Sequence, residues 1–543
     1  MRHVRPLPAA VAAVLVGALA GGLLGGSALA TQDRIDEHYR TFTAALAAIE
    51  ANYVEKPQTE RLVYGAIDGM LRTLDPHSSF MDPRTYAQLR ERQGGRYYGL
   101  GISISVIDGD ITVMNLFEGS PAYRKGLRRG DIIARIEGQD TKGWTSDQAV
   151  RRLRGPKGTS VNISIKRPGY EGLIDLTVER DEINIPTVHT AFMLDAERGY
   201  IRLQDFSETT DEELGRALES LKRQGMKRLV LDLRDNLGGP LDQAIRVANR
   251  FLRRGQLVVY TRGRIRNADQ EYRATEDSEY ADLPLVVLVN RQSASAAEIV
   301  SGALQDHDRA IIVGEPTFGK ALVQSIYRIS MGAGLALTTG RYYTPSGRLI
   351  QRPWDPSFDE YLTYTLRLDP TSARARSEAD LRYTDAGRKV YGGGGIEPDH
   401  IVPGPVEGFN PTRFGRELYA RQVFDNYAQK FSAEGDTRIV GQAKDRRYVR
   451  RGFEVDDAMI ADFRRFLERE QRIRIDEQAF AKDLEFIRTM IKYRIDFALF
   501  GIEEARRTLI AKDPQTQLAI SLFPEAERLT ALARARANGG GQR

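Results

Sequence analysis

The sequence predicts an α/β core, a mixed sheet with packed helices, that carries a small inserted β domain and is flanked by helical N- and C-terminal regions. Three observations predict it. Between residues 182 and 405, apolar runs such as RLVLDLR and LPLVVLVN alternate with amphipathic runs such as DEELGRALESLKRQ and SAAEIVSGALQD, as they do when helices pack on a sheet. Residues 95–181 alternate apolar and polar positions instead (GLGISISVIDGDITVMNLF, SVNISIKR, LIDLTVER), which marks half-buried strands, with SDQAVRRLRG as a short helix among them. The flanks repeat apolar residues at three- and four-residue spacing, as in TFTAALAAIEANYVE.

The elements divide the 543 residues, more than one core accommodates, into 1–30, 31–94, 95–181, 182–405 and 406–543. The first stretch has Arg2 and Arg5, an apolar run rich in Ala and Gly, and Ala28-Leu29-Ala30 as a small-residue site. Those parts in that order read as an export signal, with an uncleaved membrane anchor as the alternative. Either places the protein in the periplasm or otherwise outside the cytoplasm. In 406–543, Phe463, Phe466 and Leu467, then Phe486, Ile487, Met490 and Ile491, form apolar stripes that must be buried, against their own core or a second subunit. The sequence offers no chemistry there and gives the segment as dispensable for catalysis. The last residues, ANGGGQR, read as a disordered tail.

Composition excludes several functions. Net charge is only +5, from 79 basic and 74 acidic residues without a dense basic run, so no nucleic-acid partner is expected. The absence of cysteine removes disulfides, thiol catalysis and cysteine-bound zinc. The six histidines, His3, His38, His77, His189, His307 and His400, form no HExxH pair, and no phosphate-binding GxxxxGK[ST] occurs. No metal or cofactor is expected.

One constellation carries chemistry. Ser295 stands where the buried strand LPLVVLVN passes through RQSA into a helix, a turn that exposes a side chain and aims helix N–H groups, Ala296's among them, at a reacting group. His307 lies at the other end of that helix, out of reach, so a base for Ser295 has to be something else. Lys320 is a candidate: a lysine serves as base when apolar surroundings keep it neutral, and Phe318, Leu322 and Val323 flank it. Gly238 and Gly239, after the strand RLVLDLR, offer a second oxyanion donor. A helix-capping serine and a surface lysine would give the same pattern.

The stretch SASAAEIVSGALQDHDRAIIVGEPTFGKALVQ closely resembles the catalytic core of the C-terminal processing peptidases, or tail-specific proteases, whose pattern is S-A-S-x-x-E-I, a helix, then G-x-x-T-[FY]-G-K-x-x-x-Q. LDPHSSF (74–80), GSPAYRKGLRRGDII (119–133), LDLRDNLGG (231–239), GRYYTPSGRLIQ (340–351) and GGGIEPD (393–399) match further motifs in family order, so the resemblance covers roughly residues 35–405. It implies that Ser295, rather than Ser293, is the nucleophile, Lys320 its base and Gln324 the residue that orients the amine. Glu298, acidic in the first turn of the helix where a carboxylate suits the dipole, reads as structural. On an extended strand Lys320 and Gln324 share a face but are about 13 Å apart, so their contact needs a bend or leaning side chains. Which of Gly238 and Gly239 completes the oxyanion hole stays open.

The resemblance also makes residues 95–181 a PDZ domain, which captures a peptide C-terminus as an added strand. Tyr98, Gly99, Leu100 and Gly101 would form the carboxylate nest, and Ala149, Val150 and Leu153 of helix 146–153 the groove wall. The implied function is a serine endopeptidase that cleaves exported proteins after recognising their exposed C-terminal tails. Its implied partners are a homo-oligomer, as in dimeric relatives, and an activating adaptor protein. A catalytically silent PDZ scaffold and a lysine-assisted amidase are the alternatives.

Overall fold

A computed structural model describes residues 36–117, 119–167, 170–354, 361–366, 377–434 and 449–539. The export-signal segment 1–30 lies outside the described residues. They form two compact units: one of residues up to Asp82 together with Ile326–Leu337, the other of Pro83–Ser325 and Thr338 onward.

The first unit holds a helix at 36–52, the helix Thr59–Arg72, and the short strand Ser79–Met81, antiparallel to residues 334–336. The LDPHSSF motif is a turn: Asp75 Oδ1 accepts the backbone N–H groups of His77 and Ser78, each at 2.8 Å. The helical flank runs to residue 94, but its last helix is grouped apart from the others. Helix Pro83–Gly94 belongs to the second unit, where Arg84 pairs with Asp147 and Glu91 with Arg154.

In the second unit, five antiparallel strands make the small β domain, in the order Ile102–Ile107, Asp110–Leu116, Ile132–Ile136, Ser160–Lys166, Ile174–Glu179, with Gln139–Asp140 paired on the third. The alternation turns Ile111, Val113, Ile133, Val161, Ile163 and Ile165 inward, where they pack with Ala149 and Leu153 of helix Ser146–Leu153. That helix starts at a capping box, Thr145 Oγ1 accepting the Gln148 N–H and Gln148 Oε1 the Thr145 N–H.

The core is a six-stranded mixed sheet ordered Val188–Met193, Arg198–Leu203, Arg228–Asp232, Leu285–Val289, Ile311–Gly314, His400–Ile401. The first pair is antiparallel and the others are parallel. Leu229, Leu231, Val287 and Val289 face the helices Thr210–Arg223, Leu241–Asn249 and Ala296–Asp306. The opposite residues, Tyr200, Val230, Val286, Leu288, Ile311 and Val313, are covered by Ile510, Ala519, Phe523 and Ala526 from the last three helices, Ile502–Ile510, Pro514–Ser521 and Phe523–Gly539.

This corrects one expectation and decides between two others. The last helices are the second layer of the core sheet rather than an appended region. Each large side chain buried there contributes about 1.5–3 kcal/mol, so six uncovered sheet residues rival a domain's whole net stability of about 5–15 kcal/mol. The segment is therefore not dispensable. Nor do its stripes await a second subunit: Phe463, Phe466, Leu467, Phe486, Ile487, Met490 and Ile491 are buried together with Phe424 and Tyr427 in a core formed by residues 406–509. The tail read as disordered continues as helix to Gly539; its last four residues lie outside the described ones.

Candidate active site

Strand Leu285–Val289 and helix Ala296–Asp306 are buried throughout, and half-buried Ser295 sits at their junction. Its backbone has φ 53° and ψ −112°, a conformation that costs a non-glycine residue about 1–3 kcal/mol and persists only when its surroundings enforce it. They do so at both of its backbone polar groups. The Ser295 N–H donates to Glu298 Oε2 at 2.9 Å, and its carbonyl accepts the N–H groups of Glu298 and Ile299 at 2.9 Å each. Just before it, the Ala294 N–H donates to the Asn236 carbonyl at 2.9 Å. Ser293 is wholly buried, its hydroxyl accepting the Asn290 N–H and donating to the Leu233 carbonyl, both at 2.9 Å. It pins the turn and faces no solvent.

Lys320 leads into strand Leu322–Arg328 from a loop that Gly319 turns at φ +88°. Its Nζ donates to Gln324 Oε1 at 2.8 Å, so the two long side chains lean together across the distance that their backbones leave. Two buried residues fix Lys320 against Ser295. Glu298 is fully buried and accepts four donors: the Thr317 hydroxyl and the N–H groups of Gly319 (2.7 Å), Lys320 (2.9 Å) and Ser295 (2.9 Å). Burial pushes its carboxyl up to about 6, and these hydrogen bonds oppose the rise, so it is ionised at neutral pH. From the other side, the buried Tyr342 hydroxyl lies within hydrogen-bond reach of the Lys320 carbonyl and 3.2 Å from that of Ser295. Burial raises its pKa well above the usual tyrosine range, so it remains a donor. Sequence reasoning gave Glu298 a structural role without its partners and gave Tyr342 none. For Glu298 the S-x-x-E spacing of a capping box was the available signal; Tyr342 stands inside GRYYTPSGRLIQ, which was matched as a motif without a role for this residue.

The glycine pair sits against the elbow. A Cβ on Gly238 (φ +90°) would lie 2.8 Å from both Ala296 N and Ser295 Cβ, and one on Gly239 would lie 2.2 Å from the Phe206 carbonyl oxygen. Only glycine fits at either position. The two are not equivalent donors, because the Gly238 N–H is already bonded to Asn236 Oδ1 at 2.8 Å. The Ala296 N–H is the first of its helix, where no intrahelical carbonyl is available to it.

In the β domain, a groove of about 240 Å³ runs between edge strand Ile102–Ile107 and helix Ser146–Leu153. Leu100, Gly101, Ile102, Ile104, Val150, Leu153, Tyr97 and Arg154 line it. Of the residues expected at the groove, Ala149, Tyr98 and Gly99 do not line it. Ala149 is buried inside the domain, because the groove face is Ser146, Val150 and Leu153, at helical spacing. Strand Arg96–Gly99 turns Tyr97 inward and leaves Tyr98 45% exposed, its hydroxyl on Glu182. Gly99 is buried against the Tyr97 ring and does not line the groove.

Residues 197–357 match the model of peptidase family S41, 88–166 the PDZ domain, and 26–85 the N-terminal domain of the activating protease CtpB. The carboxy-terminal-processing protease of Bartonella bacilliformis is 40% identical over 307 residues, 56% of this chain and 70% of the relative. The carboxy-terminal processing protease CtpA of Bacillus subtilis is 35% identical over 346 residues, 63% and 73% of the two chains. Among solved structures, the photosystem II D1 C-terminal processing protease is 32% identical, with 56% of this chain and 88% of that one covered at a TM-score of 0.32. The chain belongs to the carboxy-terminal processing protease family. It is a serine-type peptidase with a PDZ domain, and the silent-scaffold reading is not favoured.

Proposed function

We propose that Ser295 is the nucleophile and Lys320 the general base of a peptide hydrolase that selects substrates by their C-terminal tails. The observation that carries this reading is the double tie between the two residues: Glu298 holds both backbone N–H groups, and Tyr342 spans both carbonyls. Neutral Lys320, oriented by Gln324, takes the Ser295 hydroxyl proton as Oγ attacks the scissile carbonyl. The oxyanion is held by the N–H of Ala296 and, since that of Gly238 is occupied, by the N–H of Gly239. Collapse of the tetrahedral intermediate passes the lysine's proton to the leaving amine. Lys320 then activates the water that hydrolyses the ester on Ser295.

The PDZ groove supports tail selection. Edge strand Ile102–Ile107 has one partner strand and can take a peptide on its other side, Ile102, Ile104, Val150 and Leu153 suit an apolar last residue, and Arg154 brings a cation to the groove. The substrates are exported proteins with exposed C-terminal tails. The Arg-led apolar segment at residues 1–30 supports export, and among the described residues no helix is long and apolar enough to cross a membrane. The match to an activating protease's N-terminal domain supports a role for an adaptor, and the exposed apolar residues Tyr39, Phe42, Tyr53 and Val54 support self-association through that end. Purified Ser295→Ala and Lys320→Ala variants test the chemistry on an unstructured peptide with a free apolar C-terminus. Both are expected to be inactive with wild-type melting curves, and activity in either sinks the assignment.

A further inference from the structure

The match to peptidase family S41 ends at residue 357, yet the loop that carries Gly238 and Gly239 is anchored to residues far beyond it. The anchor is Arg234. Its Nη1 lies 2.7 Å from Asp513 Oδ2 and 2.9 Å from Gln515 Oε1, and its Nη2 donates to Thr516 Oγ1 at 3.2 Å. Its Nε and Nη2 also hold the Asp232 carboxylate. Asp513 closes the cluster, accepting the Gln515 N–H at 2.9 Å and the Thr516 hydroxyl at 2.6 Å. All five side chains are buried, and the backbone packs directly on the pair: a Cβ on Gly408 would fall 1.9 Å from Asp513 Oδ1 and 2.6 Å from Arg234 Nη1.

From Arg234 a continuous set of bonds leads to the nucleophile. The Arg234 N–H donates to Asp232 Oδ1. Asp235, at φ 60°, gives its N–H to Asn290 Oδ1, and its carboxylate accepts from Asn290 Nδ2 and Arg202. Asn236 holds the Gly238 N–H, donates to the Leu203 carbonyl and accepts the Ala294 N–H, one residue before Ser295. Arg234 sits between two carboxylates, Asp232 and Asp513. Without Asp513 its outer donors would be buried and partly unpaired, a state that a loop relieves by moving.

We propose that Asp513, with Gln515 and Thr516, is a positioning element of the active site, through which the C-terminal helical segment sets the geometry of the oxyanion loop. The proposal rests on the reading of Gly238–Gly239 as that loop. It makes the C-terminal helices part of the catalytic apparatus as well as a cover for the sheet. A purely structural ion pair would lower the melting temperature and leave turnover by the folded enzyme unchanged.

The test compares full-length wild type, Asp513→Ala, Thr516→Val and Ser295→Ala on one internally quenched, unstructured peptide with an apolar C-terminus. At a temperature where circular dichroism shows a folded protein, Asp513→Ala is expected to lose at least tenfold in kcat with KM within twofold of wild type, and to exchange amide hydrogens in residues 233–239 faster. A folded Asp513→Ala enzyme with wild-type kcat overturns the proposal. Should that variant not fold, Thr516→Val decides, since it removes a hydroxyl that accepts from Arg234 and donates to Asp513 while leaving both charges in place. A two- to fivefold loss in kcat at constant KM supports the proposal, and wild-type kcat overturns it. Residual activity in Ser295→Ala would instead refute the underlying site assignment.

Discussion

Oε2 of Glu298 lies 2.9 Å from the backbone nitrogen of Lys320, and the same oxygen lies 2.9 Å from that of Ser295. One buried carboxylate thus sets the separation of two residues that are 25 positions apart in the chain. Four donors converge on it, and an ionised carboxylate, which only accepts, satisfies them all. Glu298→Gln offers one acceptor oxygen and aims an NH₂ group at donors. In the folded variant kcat is expected to fall at least tenfold, with KM little changed. A wild-type kcat would show that the tie is unnecessary for catalysis.

The same residue fixes a pH dependence. Its carboxyl is raised from 4.5 to about 6 in the fold, with burial as the largest cause. The folded protein therefore binds this proton more tightly than the unfolded chain. The contribution to stability is full below about 4.5 and is lost as pH rises through about 6. A shift of that size corresponds to about 2 kcal/mol. Activity moves the other way, because a protonated Glu298 turns an acceptor into a donor and because only a neutral Lys320 accepts a proton. Denaturant unfolding of wild type against Glu298→Gln is expected to show wild type losing about 2 kcal/mol relative to the variant between pH 4 and pH 7.5, while its turnover rises. A pH-independent difference would contradict the assignment.

Tyr342→Phe removes one hydroxyl and no volume. The expected stability loss is about 0.5–1.5 kcal/mol, that of a single hydrogen bond. Turnover is expected to fall roughly three- to tenfold, since the tether between the Ser295 and Lys320 carbonyls is gone. Steady-state kinetics beside thermal melting separates the two effects. A fall in melting temperature alone would make Tyr342 a packing residue.

The two serines are expected to part cleanly. Ser293→Ala leaves the Asn290 N–H unpaired in a dry site, at a cost of about 1–3 kcal/mol, while the Leu233 carbonyl keeps the Asn236 N–H, and the folded enzyme still turns over. Ser295→Ala is expected to melt like wild type and to be inert. The reverse pattern in activity would exchange their roles.

Substrate selection is separable from chemistry. Val150→Asp puts a charge into the groove wall and is expected to raise KM at least tenfold for a peptide with an apolar free C-terminus. For the same peptide amidated at its C-terminus, kcat/KM is expected to change little. Equal losses on both would assign Val150 to folding of the β domain.

What the sequence revealed depended on how local the signal was. Ser295 and Lys320 drew notice because a buried strand, a small-residue turn and a lysine after a glycine lie within short stretches, and the family resemblance gave them their roles. Glycines 238 and 239 were legible as a pair, but the choice between them depends on the Asn236 side chain folding back on its own loop, which no spacing encodes. The direction of the Tyr98 side chain has a similar origin. RYYG places two tyrosines side by side, and without a polar–apolar contrast the sequence cannot tell which one the strand turns inward. Tyr342, and Asp513 beneath Arg234, become neighbours of the site only through sheet and helix packing. The C-terminal stripes were read correctly as apolar faces, but periodicity shows that a face is buried and not against what.

The central claim, a Ser295 nucleophile activated by Lys320, is tested most directly by trapping the acyl-enzyme. A slowly deacylating peptide ester is mixed with the full-length protein, quenched in acid and digested, and the adduct is located by mass spectrometry. The account predicts a single adduct on Ser295, absent from Ser295→Ala and formed at least a thousandfold more slowly in Lys320→Ala. An adduct on Ser293, or one formed at the wild-type rate without Lys320, would contradict it.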